Sequence, residues 1–234
     1  MRRKQKRDYF VSCIVAAGGS GSRMQADINK IFLEIDEMPV LAHTLLALER
    51  HEEIDEIILV TAEHDIPGCH DIQKEFDISK LKSIVRGGAT RQDSVRNGLA
   101  ESSEQADIVL IHDAARPLIT NEVIQAVIDG VRKHGAAAAG VPCKNTLKQA
   151  DSNGFITDTP DRSHLYEIQT PQGFKRDLIL RAHTEAQNAG ISGTDDCYLV
   201  EQLGAPVLIT EGTYRNIKVT TPEDLLLAEQ FLHS

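Results

Sequence analysis

Tryptophan is absent from these 234 residues, and aromatic side chains make up only 4% of the chain. A core must come from the aliphatic residues that dominate its 41% hydrophobic fraction, which is enough for one α/β domain. Positive charge is also short: 25 Lys and Arg stand against 35 Asp and Glu, a net −10. Nucleic-acid surfaces show clustered basic charge, so that class of partner is excluded. An anionic small ligand is still allowed, provided the cations converge on one pocket. No apolar run approaches the ~20 residues that span a bilayer, so no membrane partner is expected. The four cysteines (Cys13, Cys69, Cys143, Cys197) include no CxxC pair. They suit buried thiols in a reducing cytoplasm better than a disulfide framework. The opening MRRKQKRDYFVSCIVAAG imitates a signal peptide. Its apolar part is short and β-branched and runs straight into glycines, as a buried first strand does.

Apolar runs alternate with helical patterns along the first 140 residues. FVSCIVAA, IDEIILVT, LKSIV and DIVLIHDA read as strands. PVLAHTLLALER, the stretch around DIQKEF, TRQDSVRNGLAES and NEVIQAVIDGVRKHG read as helices. This βαβα rhythm predicts an α/β, Rossmann-like fold: a mostly parallel sheet with helices on both faces and ligands at the carboxyl ends of its strands. The rhythm breaks after GAAAAGVP. Residues 143–165 are polar, with Asn153-Gly154 suited to a tight turn, and predict a hairpin that projects from the one domain (1–234). A helix around RDLILRAHTEAQNAG, strands APVLITE and NIKVT, and a helix from Thr221-Pro222 complete the chain.

Glycine-loop chemistry begins at VAAGGSGSRM, residues 15–24. The Gly-Lys-Ser/Thr ending of a P-loop is missing, since Gly21-Ser22-Arg23 stands there. The third glycine of a dinucleotide fingerprint is missing too; its place is Met24. The loop therefore reads as another kind of phosphate cradle, or as an ordinary tight turn. Arg23, Lys30, Asp113, Arg116 and Lys218 all fall where strands are expected to end. Fixed cations beside one carboxylate are what phosphoryl or nucleotidyl transfer needs, and one or two acids with substrate phosphates suffice for Mg²⁺. Taken singly, each has a plainer reading. Arg23 and Lys30 serve equally as surface charges, Asp113 as a cap, and His112 as a packed strand residue. Asp195-Asp196 reads first as a helix N-terminus and second as a ligand contact.

AAGGSGSRM with Lys30, GGATRQDSVRNGL, HDAARP, TPQGF, TDD and NIKVTTPEDL, in this order, resemble the 2-C-methyl-D-erythritol 4-phosphate cytidylyltransferases from Val11 onward. The resemblance implies CMP transfer from CTP to a sugar-alcohol phosphate with Mg²⁺, by a homodimer. It assigns Ala16, Ala17, Gly18, Gly19, Ser20 and Gly21 to CTP, and Gly88 and Ser94 to the cytosine. Arg23 and Lys30 match its transition-state stabilisers, and Asp113 its Mg²⁺-associated acid. Ala114, Arg116, Thr170, Thr194 and Lys218 match positions lining the sugar-phosphate pocket. Thr146 and Arg162 match hairpin residues reaching the neighbouring subunit's site. Three positions depart from the family pattern. Asn29-Lys30-Ile31 replaces Pro-Lys-Gln, Asn145-Thr146 replaces Asp-Thr, and Cys197 follows TDD where alanine is frequent. A ribitol 5-phosphate cytidylyltransferase and a non-catalytic nucleotide-binding module are the alternatives. HDAARP with TDD favours the erythritol reading over the first. The set Arg23, Lys30, Asp113 and Lys218 speaks against the second.

Overall fold

The computed structural model describes residues 7–18 and 29–233. Gly19, Ser20, Gly21 and Arg23 lie outside the described residues. The first half follows the expected alternation, with one unexpected hairpin after the first strand: β1 (Val11–Ala16), the short β2–β3 pair (Glu34–Ile35 and Met38–Pro39), α1 (Val40–Arg50), β4 (Glu56–Thr61), α2 (Ile66–Glu75), β5 (Leu81–Arg86), α3 (Arg91–Glu101), β6 (Ile108–Asp113) and α4 (Asn121–His134). There follow β7 (Ala136–Pro142), β8 (Gln149–Ala150), β9 (Ile156–Asp158), β10 (Tyr166–Lys175), α5 (Arg176–Ala189), α6 (Asp196–Gln202), β11 (Leu208–Glu211) and α7 (Pro222–Leu232).

Seven strands form one sheet in the order β11-β7-β10-β6-β1-β4-β5. Every pairing is parallel except those of β10, which runs antiparallel to β6 and β7. Alternation along β1 divides the core. Val11, Cys13 and Val15 meet α1, α2 and α4 on one face, while Ile14 meets α3, α5 and α6 on the other. The fold is thus the Rossmann-like α/β architecture expected. All six residues of β6 are buried, as befits a strand covered on both faces. The α3 helix lies close to the sheet because residue 98 is glycine; a Cβ there would stand 2.6 Å from Ile14 Cγ2.

Several elements differ from the sequence reading, which contains neither the β2–β3 hairpin nor β7. NIKVT is not a strand: Lys218 lies in an irregular segment past β11, pinned by the Val219 N–H donating to the Ala115 carbonyl at 2.8 Å. The ten-residue β10 carries the TPQGF block, whose proline and glycine disguise it. The hairpin of 143–165 forms, but with a wider turn. Its Asp151 carboxylate accepts the N–H groups of Asn153 and Phe155, and Gly154 takes φ +86°. The expected cap of α7 is present, with the Thr221 N–H donating to the Asp224 carboxylate at 2.8 Å.

Candidate active site

The carboxyl ends of β1 and β6 share one edge because Ala16 pairs with Asp113 in register. Ala17 and Gly18 therefore follow the sheet edge beside the acid. Ala17 continues the strand direction, its N–H donating to the Val60 carbonyl at 2.7 Å. Gly18 faces the first turn of α3, where a Cβ on it would lie 3.5 Å from Ser94 Oγ. Ser94 Oγ accepts from the Gly88 N–H at 3.0 Å and donates to the Thr90 carbonyl at 2.9 Å. Gly88 cannot carry a side chain, since a Cβ there would stand 2.3 Å from Asp93 Cβ. Gly18, Gly88 and Ser94 are thus brought together, and the capping box of Thr90 and Asp93 holds the turn that carries them.

Three cations surround Asp113, which is 6% exposed. Lys218 Nζ lies 2.8 Å from Oδ2, Arg116 Nε 3.5 Å from Oδ2, and Arg91 Nε 3.6 Å from Oδ1. Burial alone would raise the carboxyl, but Lys218, Arg91 and Arg116 together hold it below the usual carboxylate range. Asp113 is therefore ionised across the neutral range. Behind it, the Asp113 N–H donates to Thr170 Oγ1 at 3.0 Å, and the same hydroxyl meets His112 Nδ1 at 3.0 Å. Burial pushes the His112 imidazole down to about 4, so it is a neutral, hydrogen-bonded strand residue. Arg116 is aimed by its Nη1 donating to the Asn216 carbonyl at 2.7 Å.

The sequence pattern does not single out Arg91. It sits at the start of α3 and donates from Nη1 to Asp196 at 2.7 Å while reaching Asp113. Asp196 is 1% exposed and also meets His183 Nε2 at 3.1 Å. Its neighbour Asp195 is the N-cap of α6, accepting from the Tyr198 N–H, so the capping reading holds for Asp195. No local pattern links Arg91 to an acid 105 residues away; only the sheet order does.

The remaining candidates are spread over three settings. Ala114 is fully buried, with its N–H on the Ala16 carbonyl and its own carbonyl accepting from Thr44 Oγ1, so it shapes the wall from beneath. Thr170 is buried too and supports the acid, whereas Thr194 is exposed at the start of the α6 turn. Thr146 and Arg162 are exposed on the hairpin, and Arg162 Nη1 donates to the Lys144 carbonyl at 2.6 Å. Lys30 opens a short 3-10 turn, Lys30–Phe32, with Asn29 as its N-cap.

A hard carboxylate at a strand end, held ionised at neutral pH by its cations, is a fitting donor for Mg²⁺. Elsewhere among the described residues, Asp36, Glu229 and His233 gather possible ligand atoms within 4.8 Å, all of them exposed.

The family profile described as 2-C-methyl-D-erythritol 4-phosphate cytidylyltransferase (IspD) matches residues 11–234. The chain belongs to this family. It is 47% identical to the 2-C-methyl-D-erythritol 4-phosphate cytidylyltransferase of Clostridium botulinum (strain 657 / Type Ba4), covering 94% of this chain and 96% of that one. With the enzyme of the same name from Caldanaerobacter subterraneus subsp. tengcongensis it shares 46% identity, over 95% and 98% of the two chains. The crystal structure of 4-diphosphocytidyl-2C-methyl-D-erythritol synthase from Anaerococcus prevotii superimposes with a TM-score of 0.86 at 35% identity, covering 97% of each chain. That of the cytidylyltransferase from Thermus thermophilus gives 0.79 at 30%, over 96% and 100%. The chain is therefore a cytidylyltransferase, and CTP is its nucleotide. Among the described residues, no helix of this cytidylyltransferase is long and apolar enough to cross a membrane.

Proposed function

We propose that this chain transfers CMP from CTP to 2-C-methyl-D-erythritol 4-phosphate, giving 4-diphosphocytidyl-2-C-methyl-D-erythritol and pyrophosphate. The observation that carries the reading is the cluster on Asp113. Three cations meet one carboxylate beside the mouth of the glycine loop. Such a cluster can neutralise two phosphorylated substrates at once. In this reading the loop of Gly18, Gly19, Ser20 and Gly21 wraps the triphosphate, and the turn of Gly88 and Ser94 reads the base through main-chain groups. Arg23 and Lys30 stabilise charge developing at the α-phosphate. Lys218 and Arg116 hold the sugar phosphate, with Thr194 at the rim. Asp113 is the residue that would hold Mg²⁺, which when bound screens the triphosphate and polarises the bond under attack.

The assembly in this reading is a homodimer, and the whole chain acts as one domain with 143–165 as its arm. The arm exposes Phe155 at 70% and Ile156 at 64%. A two-stranded hairpin with such a surface needs a partner to be stable. A reducing cytoplasm is the matching compartment, since burial pushes the Cys13, Cys69 and Cys197 thiols up and leaves them inert.

The deciding test is pyrophosphate release from CTP with each sugar phosphate. Release is expected with 2-C-methyl-D-erythritol 4-phosphate. Faster release with ribitol 5-phosphate would reassign the substrate, and none with either would make the chain a nucleotide-binding module.

A second measurement isolates the acid. Asp113→Asn removes the common partner of three cations and is expected to destabilise the fold, by less than a fully buried pair would because Lys218 is 40% exposed. Rates must therefore be read well below the unfolding transition. The variant is expected to turn over slowly and to need more Mg²⁺ for half-maximal rate. An unchanged Mg²⁺ titration would make Asp113 a counter-ion for Lys218 and nothing more.

A further inference from the structure

Lys30 carries a long flexible stem, and what fixes its backbone is visible on both sides. Ile31 is 1% exposed and plugs into the core beside α1 and β1. Asn29 is held by its side chain. Its Nδ2 donates to Asp65 Oδ2 at 2.7 Å, and its Oδ1 accepts a long bond from the Ile31 N–H at 3.4 Å. Its carbonyl accepts from the Phe32 N–H at 2.9 Å, closing the turn. Asp65 is 7% exposed and lies in the turn just past the carboxyl end of β4, the strand paired with β1. Its own N–H donates to the Ala62 carbonyl at 3.0 Å. The anchor is thus built on the same sheet edge as the site.

We propose that Asn29 and Asp65 are positioning residues for Lys30, forming a side-chain tether that sets where the lysine enters the site. The inference rests on the reading of Lys30 as the residue that stabilises the α-phosphate. With its acceptor 7% exposed, the 2.7 Å bond is shielded from competing water, so one such contact can hold a loop end. Asn29 has φ −59° and ψ 131°, within the range to which a proline ring confines its residue. Among the described residues its N–H has no acceptor. A proline at this position would hold the same backbone with no need of Asp65.

The test is a double-mutant cycle on the intact enzyme, with kcat and the CTP KM measured separately. Asn29→Ala and Asp65→Ala are each expected to lower kcat about tenfold, short of the ~10²-fold that a 1 Å misplacement can cost. The CTP KM should stay within about twofold, because transition-state contacts act on kcat. The double variant should be no slower than either single one, as two ends of one contact require. Asp65→Asn keeps an acceptor and should retain turnover. Asn29→Pro should restore turnover to the Asp65→Ala enzyme. Multiplying losses, or single variants with unchanged kcat, would overturn the tether. Should Asn29→Pro misfold, as thermal unfolding would show, the alanine cycle with Asp65→Asn decides alone. Lys30→Ala is run in parallel: if it keeps its turnover, the role of Lys30 falls, and the tether with it. If Lys30→Ala is inactive while the cycle is additive, only the tether falls.

Discussion

Lys30→Ala is expected to lose about 10²–10³ in kcat, the usual cost of removing one preorganised group from a developing negative charge. The CTP KM should change far less. The triphosphate in the ground state is held by many main-chain groups, whereas charge moves onto the oxygens around the α-phosphorus only during transfer. Lys30 is half-buried at the head of a three-residue turn whose core contact is Ile31, so truncating the lysine leaves the packing of the turn in place. Loss of kcat with unaltered thermal unfolding is therefore the expected pair of results. Near-normal kcat would remove Lys30 from the chemistry, and a fall in CTP affinity of the same size as the fall in rate would make it a ground-state phosphate contact.

What the sequence discloses and what it hides have a common physical cause. β1, β4 and β6 are legible because their aliphatic, β-branched runs are buried on both faces of the sheet. The alanine-rich β7 gives a weaker signal. Its small residues are dictated by α4, as Gly130 shows: a Cβ there would stand 2.7 Å from Ala137 Cβ. Tertiary crowding of that kind leaves no periodicity. The antiparallel β10 hides for the same reason, with Gly173 set under Val127 and Val131 of α4. Among the site residues, Asp113 and Lys218 are readable as charges where chain segments end, and they meet at 2.8 Å. Arg91 is not readable, because its two acids come from β6 and α6, which only the folded sheet brings beside α3. In the sequence Asn29 shows only as a departure from the proline that the family pattern has before the lysine. In the fold a side-chain bond to Asp65 stands where a ring would restrict the backbone.

Mixing two inactive variants should restore activity if the site is shared between subunits. Arg162 is exposed on the hairpin, and its guanidinium meets the Lys144 carbonyl within the arm. An arginine so placed, on an arm that buries almost nothing of its own, is suited to act on another chain. In the proposed homodimer each site combines its own Lys30 and Lys218 with the partner subunit's Arg162. Lys30→Ala and Arg162→Ala homodimers are then both impaired, for different reasons. A mixed dimer would carry both lesions in one site and neither in the other. With random reassembly about half of the dimers are mixed, and each has one intact site, so activity should recover to about a quarter of wild type by the symmetry of a closed dimer. Dissociation, mixing and reassembly, with mixed dimers counted by native mass spectrometry, give the measurement. If mixed dimers form and activity stays at the level of the parent variants, Arg162 serves its own chain. If the Arg162→Ala parent already shows full activity, Arg162 has no part in the reaction and the hairpin is only a dimer contact.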